Sequence, residues 1–171
     1  MISLARAAVA AVFLCGALLS GCGQKSDTSS APTVQDAMPA PPLDQGAPAV
    51  DPAVVKARLA ELPAPYDTAD PAHGHVVFAR CQVCHTVAEG GPDMTGPNLW
   101  GVFGRKAGSK PGYFYSDSVK ALGFAWTAQR IDSWITNPRA LAPGTKMSFA
   151  GLNDAKDRAD VVAYLKTATT K

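Results

Sequence analysis

Five consecutive residues, Cys81-Gln82-Val83-Cys84-His85, hold the most specific chemistry in the chain. Two thiols separated by two residues share one face of a helical turn. Both can therefore reach the two vinyl groups of one porphyrin as thioethers, and the histidine that follows meets the iron. The spacing marks covalent attachment of a single haem. A structural zinc site would need two further Cys or His ligands at matching spacing, whereas the other cysteines, Cys15 and Cys22, lie in an apparent export signal. A thioredoxin-type dithiol would need a βαβ setting that the chain lacks, and a plain disulfide would leave His85 without a role.

A helix must deliver these residues. Asp70-Pro71 is a helix start, an N-cap followed by proline at the first helical position. Gly74 and Phe78 then lie four apart on one face of a helix that runs into Cys81. Mid-helix glycine costs up to about 1 kcal/mol relative to alanine, a cost that makes sense if Gly74 admits a close-crossing helix. The partner is the last helix, Asp154 to Ala168, where Val161, Val162, Tyr164 and Leu165 form an apolar face. His73 and His75 fall on the solvent side of the first helix. Met147 stands 62 residues after His85 in a loop punctuated by Pro143 and Gly144, a setting that can present a flexible thioether to an iron. A lone methionine otherwise fills a core.

The order Gly74, Phe78, Cys81 to His85, Gly96-Pro97-Asn98-Leu99, Phe103-Gly104-Arg105-Lys106, Trp126, Asn137-Pro138, Pro143-Gly144-Thr145-Lys146-Met147 and Ala163-Tyr164-Leu165-Lys166 resembles class I cytochrome c. The mitochondrial and alphaproteobacterial branch is the most similar. The resemblance implies a mostly α fold, with crossing N- and C-terminal helices and loops wrapping one covalent haem c. It implies Cys81 and Cys84 as the attachment residues and His85 and Met147 as the axial ligands. The Pro97 carbonyl would accept the second ring N–H of His85, a bond that fixes the ring. Arg105, Tyr115 and Trp126 match positions that hold the inner propionate; Thr145 matches a hydroxyl near the distal pocket, and Phe149 an aromatic that covers the haem edge.

Two departures bear on the iron. Trp134 stands where the family commonly has a tyrosine whose hydroxyl reaches the Met sulfur, and Val119 replaces a polar residue that binds a buried water in many members. Both make the distal side drier, which disfavours ferric charge and raises the potential. Arg80, Arg139 and Lys146 remain at positions where the family carries edge cations, whereas His75, Val76 and Ala140 carry no fixed charge. From Tyr66 to Lys171 there are 12 Lys and Arg against 9 Asp and Glu, with no basic block. Nucleic acid is therefore not the expected partner.

Residues 1–21 run from Arg6 through the apolar Ala7 to Leu19 into Leu19-Ser20-Gly21-Cys22, a secretory signal whose end resembles a bacterial lipobox. The expectation is a lipid on Cys22; the alternatives are an ordinary cleaved signal or an uncleaved apolar anchor. Residues 22–65, rich in Pro, Ala, Ser and Asp, read as a tether with one short helix from Ala53 to Leu62, and residues 66–171 as the folded domain.

The expected function is a monomeric, periplasm-facing, lipid-anchored single-electron carrier. By resemblance its donor is a cytochrome bc1-like complex and its acceptor a terminal oxidase, or alternatively a periplasmic reductase or peroxidase. No small-molecule substrate is expected, because two axial ligands close the iron. The rival is a haem enzyme or a gas or peroxide sensor with a labile Met147, against which stands the absence of a His/Arg acid–base pair in the Met147 loop.

Overall fold

The computed structural model describes residues 50–170. The expected signal, Cys22 and the tether as far as residue 49 lie outside the described residues. The elements are α1 (Pro52–Leu59), a 3-10 turn (Tyr66–Thr68), α2 (Pro71–Gln82), α3 (Asp117–Lys120), α4 (Ala128–Thr136), α5 (Pro138–Leu141) and α6 (Ala155–Ala168). Among the described residues the only β pairing is an isolated bridge between Lys106 and Ala125. The fold is mostly α, as expected.

Capping chemistry sets where the long helices begin. Asp70 accepts from Ala72 and His73 N–H at 2.9 and 3.1 Å, with Pro71 supplying a preset φ. Asp154 does the same for Lys156 and Asp157 at 2.7 and 3.0 Å.

The crossing of α2 and α6 is the centre of the packing. Gly74 sits where the helices touch. A Cβ there would lie 1.9 Å from the Asp160 carbonyl oxygen and 2.9 Å from Tyr164 Cβ, so only a hydrogen fits. Phe78 and Tyr164 meet beside it with ring centroids 5.1 Å apart, and Val161, Val162 and Leu165 complete the buried face of α6. Apolar area removed from water at roughly 25 cal/mol per Å² makes such a seam the main stabilising contact.

A buried charge locks the crossing. The Asp160 side chain is 2% exposed and accepts from Asp70 N–H at 2.8 Å, His73 Nδ1 at 2.8 Å and Lys156 Nζ at 2.6 Å. His73 is thus not simply solvent-facing, and His75 packs against the Tyr164 ring at 5.0 Å. Both histidines are drawn to α6 because the close approach at Gly74 brings that helix within side-chain reach. Burial by itself pushes the Asp160 carboxyl upward, but the bonds from Lys156, Asp70 N–H and His73 outweigh it and hold its pKa below the usual carboxylate range. Stability from Asp160 is therefore complete above the unfolded value of about 3.9 and is lost as pH falls through the lowered folded value. Asp160→Asn is expected to cost about 2–3 kcal/mol at neutral pH. The acid-induced loss of stability should shrink in the variant, and denaturant unfolding at pH 7 and pH 3 tests both statements.

The stretch expected to be tether does not stay free up to residue 65. α1 packs on α6, Arg58 donates to the Thr167 carbonyl, and Glu61 pairs with Lys166 Nζ at 2.6 Å. Leu62 and Tyr66 enter the core, and the Tyr66 hydroxyl donates to Asp132 at 2.9 Å. The physical reason is that a weakly apolar segment needs only a ready apolar surface to fold against, and α6 supplies it. Leu62→Ala is expected to lower stability by about 2 kcal/mol, measured by denaturant unfolding of the holoprotein. A change within about 0.5 kcal/mol, the range of ordinary surface substitutions, would mean that this segment is not packed.

Candidate haem-binding site

α2 ends by turning its last residues into a cavity. His85 N–H and Cys84 N–H both donate to the Cys81 carbonyl, at 2.9 and 3.0 Å, which wraps the two thiols and the imidazole around one turn. Both cysteines are unpaired and half-buried. Burial pushes the Cys81 thiol up to about 11, the reverse of the lowered value that marks a redox-active dithiol.

The His85 ring is fixed from two sides. Its Nδ1 lies 2.7 Å from the Pro97 carbonyl oxygen, which can only accept, so Nδ1 carries the proton and Nε2 keeps its lone pair. Burial lowers the pKa of the ring and keeps it neutral against the opposing pull of that hydrogen bond. Gly96 lies flat on the ring: a Cβ there would come within 2.4 Å of His85 Cε1.

Asn98, buried at 3% exposure, organises the loop that carries Pro97. It donates to Thr86 Oγ1 at 2.7 Å and the Ala88 carbonyl at 2.9 Å, accepts from Trp100 N–H at 3.0 Å, and its own N–H reaches Asp93 at 2.7 Å. Sequence reasoning places Asn98 in a motif but misses this role; the available signal is an amide side chain directly after a Gly-Pro turn.

Backbone pairing sets Arg105 beside Trp126: Trp126 N–H donates to the Arg105 carbonyl and Gly104 N–H to the Trp126 carbonyl, each at 2.9 Å. Two donors of the Arg105 guanidinium go to the Trp100 and Asn98 carbonyls at 3.0 and 3.3 Å. The rest of its five N–H groups stay available. Burial raises the Tyr115 pKa, while the nearby Arg105 charge opposes the shift. On the other loop, Thr145 Oγ1 accepts from Met147 N–H at 3.2 Å. Gly144 makes the preceding turn at φ +84°, a conformation that suits glycine.

All ten residues expected around a haem line one cavity: Cys81, Cys84, His85, Pro97, Arg105, Tyr115, Trp126, Thr145, Met147 and Phe149. Phe78, Leu99, Val102, Val119, Ile131 and Leu165 supply much of its apolar wall, and among the described residues lining it there is no Asp or Glu. A flat, largely apolar macrocycle with two vinyl groups, an iron and acidic propionates fits this set of two thiols, a lone-pair imidazole, a thioether and a cluster of N–H and O–H donors.

Trp134 also lines the cavity, edge-on to Trp126 with centroids 5.5 Å apart, as does the buried Val119. Neither brings a hydroxyl. Trp134→Tyr adds one and is expected to lower the midpoint potential, because a polar group favours ferric charge. A redox titration giving an unchanged or higher potential would count against this account.

A helical domain that gathers such a donor set around one cavity defines a c-type haem protein. The family model described as cytochrome c matches residues 71–169. The chain is 44% identical over 115 residues to cytochrome c2 of Rhodomicrobium vannielii, covering 67% of this chain and 92% of that protein. It is 44% identical over 108 residues to cytochrome c of Kluyveromyces lactis, covering 63% and 98%. Cytochrome c-554 of Methylosinus trichosporium is 47% identical over 96 residues, covering 56% and 73%. The chain belongs to the cytochrome c family, in its class I branch: an electron carrier with one covalent haem and redox proteins as partners, and not an enzyme.

Proposed function

We propose that this chain shuttles single electrons between respiratory membrane complexes, from a cytochrome bc1-like donor to a terminal oxidase or periplasmic reductase. The single observation that carries the reading is that His85 and Met147 open onto the same cavity. Bound haem supplies the one chemistry required, reversible exchange of one electron between ferrous and ferric iron. The residues of the chain do the remainder. Cys81 and Cys84 hold the porphyrin by thioethers. His85, oriented by Pro97, would offer Nε2 to the iron, and Met147, presented by the turn at Thr145, would offer its thioether from the other loop. Arg105, Tyr115 and Trp126 donate to a propionate shielded from water. Phe149 covers the edge. With both side chains held to the iron, the chain would leave no open position for a substrate and would change little in geometry during exchange.

Removal of residues 1–21 and acylation of Cys22 would hold the protein to a bacterial membrane on its periplasmic side. The Pro- and Ala-rich stretch that follows Cys22 would link that lipid to the folded domain. The Leu19-Ser20-Gly21-Cys22 sequence supports this anchoring.

The test is an optical spectrum of membranes before and after lipoprotein-specific release. A far-red sulfur-to-iron band in the oxidised state, no CO binding in the reduced state, and transfer of the haem to the soluble fraction on release are the expected results. A high-spin ferric spectrum would overturn closed ligation in favour of a sensor or peroxide-handling protein. Haem that is soluble without release would overturn the anchor.

A further inference from the structure

We propose that Phe114 is the apolar anchor on which a redox protein of acidic surface docks over the mouth of the haem cavity. The inference rests on the electron-carrier reading above. At 85% exposure, Phe114 is the most exposed large hydrophobic side chain among the described residues, and it stands on the cavity lining.

The loop that carries Phe114 is held on several sides. Lys146 Nζ donates to the Phe114 carbonyl at 3.3 Å, which ties this loop to the one bearing Met147. Tyr113 and Tyr115 on either side meet edge to face at 4.7 Å, and the Tyr113 hydroxyl donates to the Thr95 carbonyl. Its neighbours are half-buried while Phe114 stands in water. An aromatic ring presented by a fixed backbone loses little freedom on binding, so burying it against a partner returns most of its apolar gain as affinity.

The surroundings indicate what covers it. The charged side chains lining the cavity are Arg80, Arg105 and Lys146, all cations. Asp93, the acid that acts on Tyr113 and Tyr115, is already paired with Lys110 at 2.8 Å. An exposed aromatic on a cavity lining that also carries Arg80 and Lys146 has the anatomy of a protein-binding hot spot whose partner presents an apolar pocket rimmed by carboxylates. Electron transfer itself brings a partner to this mouth, since the acceptor must approach the group inside it.

The test compares two oxidants of the reduced holoprotein, each taking one electron from it: membranes containing a haem–copper oxidase, and ferricyanide. Phe114→Ser is expected to lower the ratio of the membrane rate constant to the ferricyanide rate constant about thirtyfold, the range of a hot-spot residue. Phe114→Leu should restore most of it. An unchanged ratio, with the unsubstituted protein turning over normally, overturns the inference alone. An equal loss with both oxidants overturns it too, because Phe114 then acts through the cavity. An unchanged ratio with weaker binding of Phe114→Ser to vesicles of anionic lipid assigns Phe114 to the membrane and also overturns it. Failure of the unsubstituted protein to reduce these membranes or those holding a reductase, while it still reduces ferricyanide, overturns the carrier reading and this inference with it.

Discussion

Gly74→Ala is expected to cost at least about 3 kcal/mol and to lower the melting temperature by roughly 10–20 °C, a large effect for a single methyl. The added carbon would sit 1.9 Å from the carbonyl oxygen of Asp160. That obstacle is backbone in the middle of α6, so it cannot rotate away; the helices must separate. Separation would loosen the Phe78–Tyr164 contact and pull Asp160 from its partners on α2, Asp70 N–H and His73. The costs of overpacking and of a strained buried charge then add. A control isolates the cause. Gly90 has φ +68°, and a Cβ added there would meet nothing within 4 Å, so Gly90→Ala tests backbone conformation without crowding and should cost about 1–2 kcal/mol. Denaturant unfolding of both holoproteins makes the comparison. Equal losses would mean that close approach at Gly74 is not what matters.

Met147→Ala carries the largest expected functional effect. If Met147 closes the iron as proposed, removing its thioether leaves an axial position open to water or carbon monoxide. The oxidised protein should lose its far-red band, and the reduced protein should bind CO. The midpoint potential should fall by on the order of 0.1–0.3 V, a fraction of the roughly 0.8 V that axial ligation commands in haem proteins. The direction follows from the soft sulfur ligand, which favours the ferrous state more than water does. Optical titration and CO difference spectra read the three effects independently. A variant that keeps its low-spin spectrum would show that another side chain ligates the iron. CO binding by the unsubstituted protein would reopen the sensor reading.

The two substitutions probe parts of the chain that are legible in the sequence to different degrees. Asp70-Pro71, Gly74, Phe78 and the Val161 to Leu165 face are local patterns of capping and 3.6-residue periodicity, and α2 and α6 form from them with nearly the expected bounds. The start of the packed domain is not legible. α1 buries none of its own residues fully; it is held by Leu59 against the core and by Arg58 and the following Glu61, whose partners Thr167 and Lys166 lie 109 and 105 residues away in the chain. No window of sequence contains both ends of such a contact. In sequence Asp160 is one more charge in the stretch from Asp154 to Asp160, and His73 a solvent-facing side chain. Their 2.8 Å contact needs the helix crossing to exist first. Arg105 is recognisable by its matching position, but its bonds to the Trp100 and Asn98 carbonyls come from loop closure.

By itself, the sequence determined the attachment chemistry. Cys81, Cys84 and His85 fall within one helical turn, so the rise and pitch of the helix already place two thiols and an imidazole together. Tertiary structure alone decided that His85, aimed by Pro97, shares its cavity with Met147, 62 residues further on. It also decided that cations and an exposed Phe114 surround the mouth of that cavity. Helix geometry acts over a few residues and can be read from spacing, whereas a cavity is made by segments far apart in the chain that meet only when the core closes.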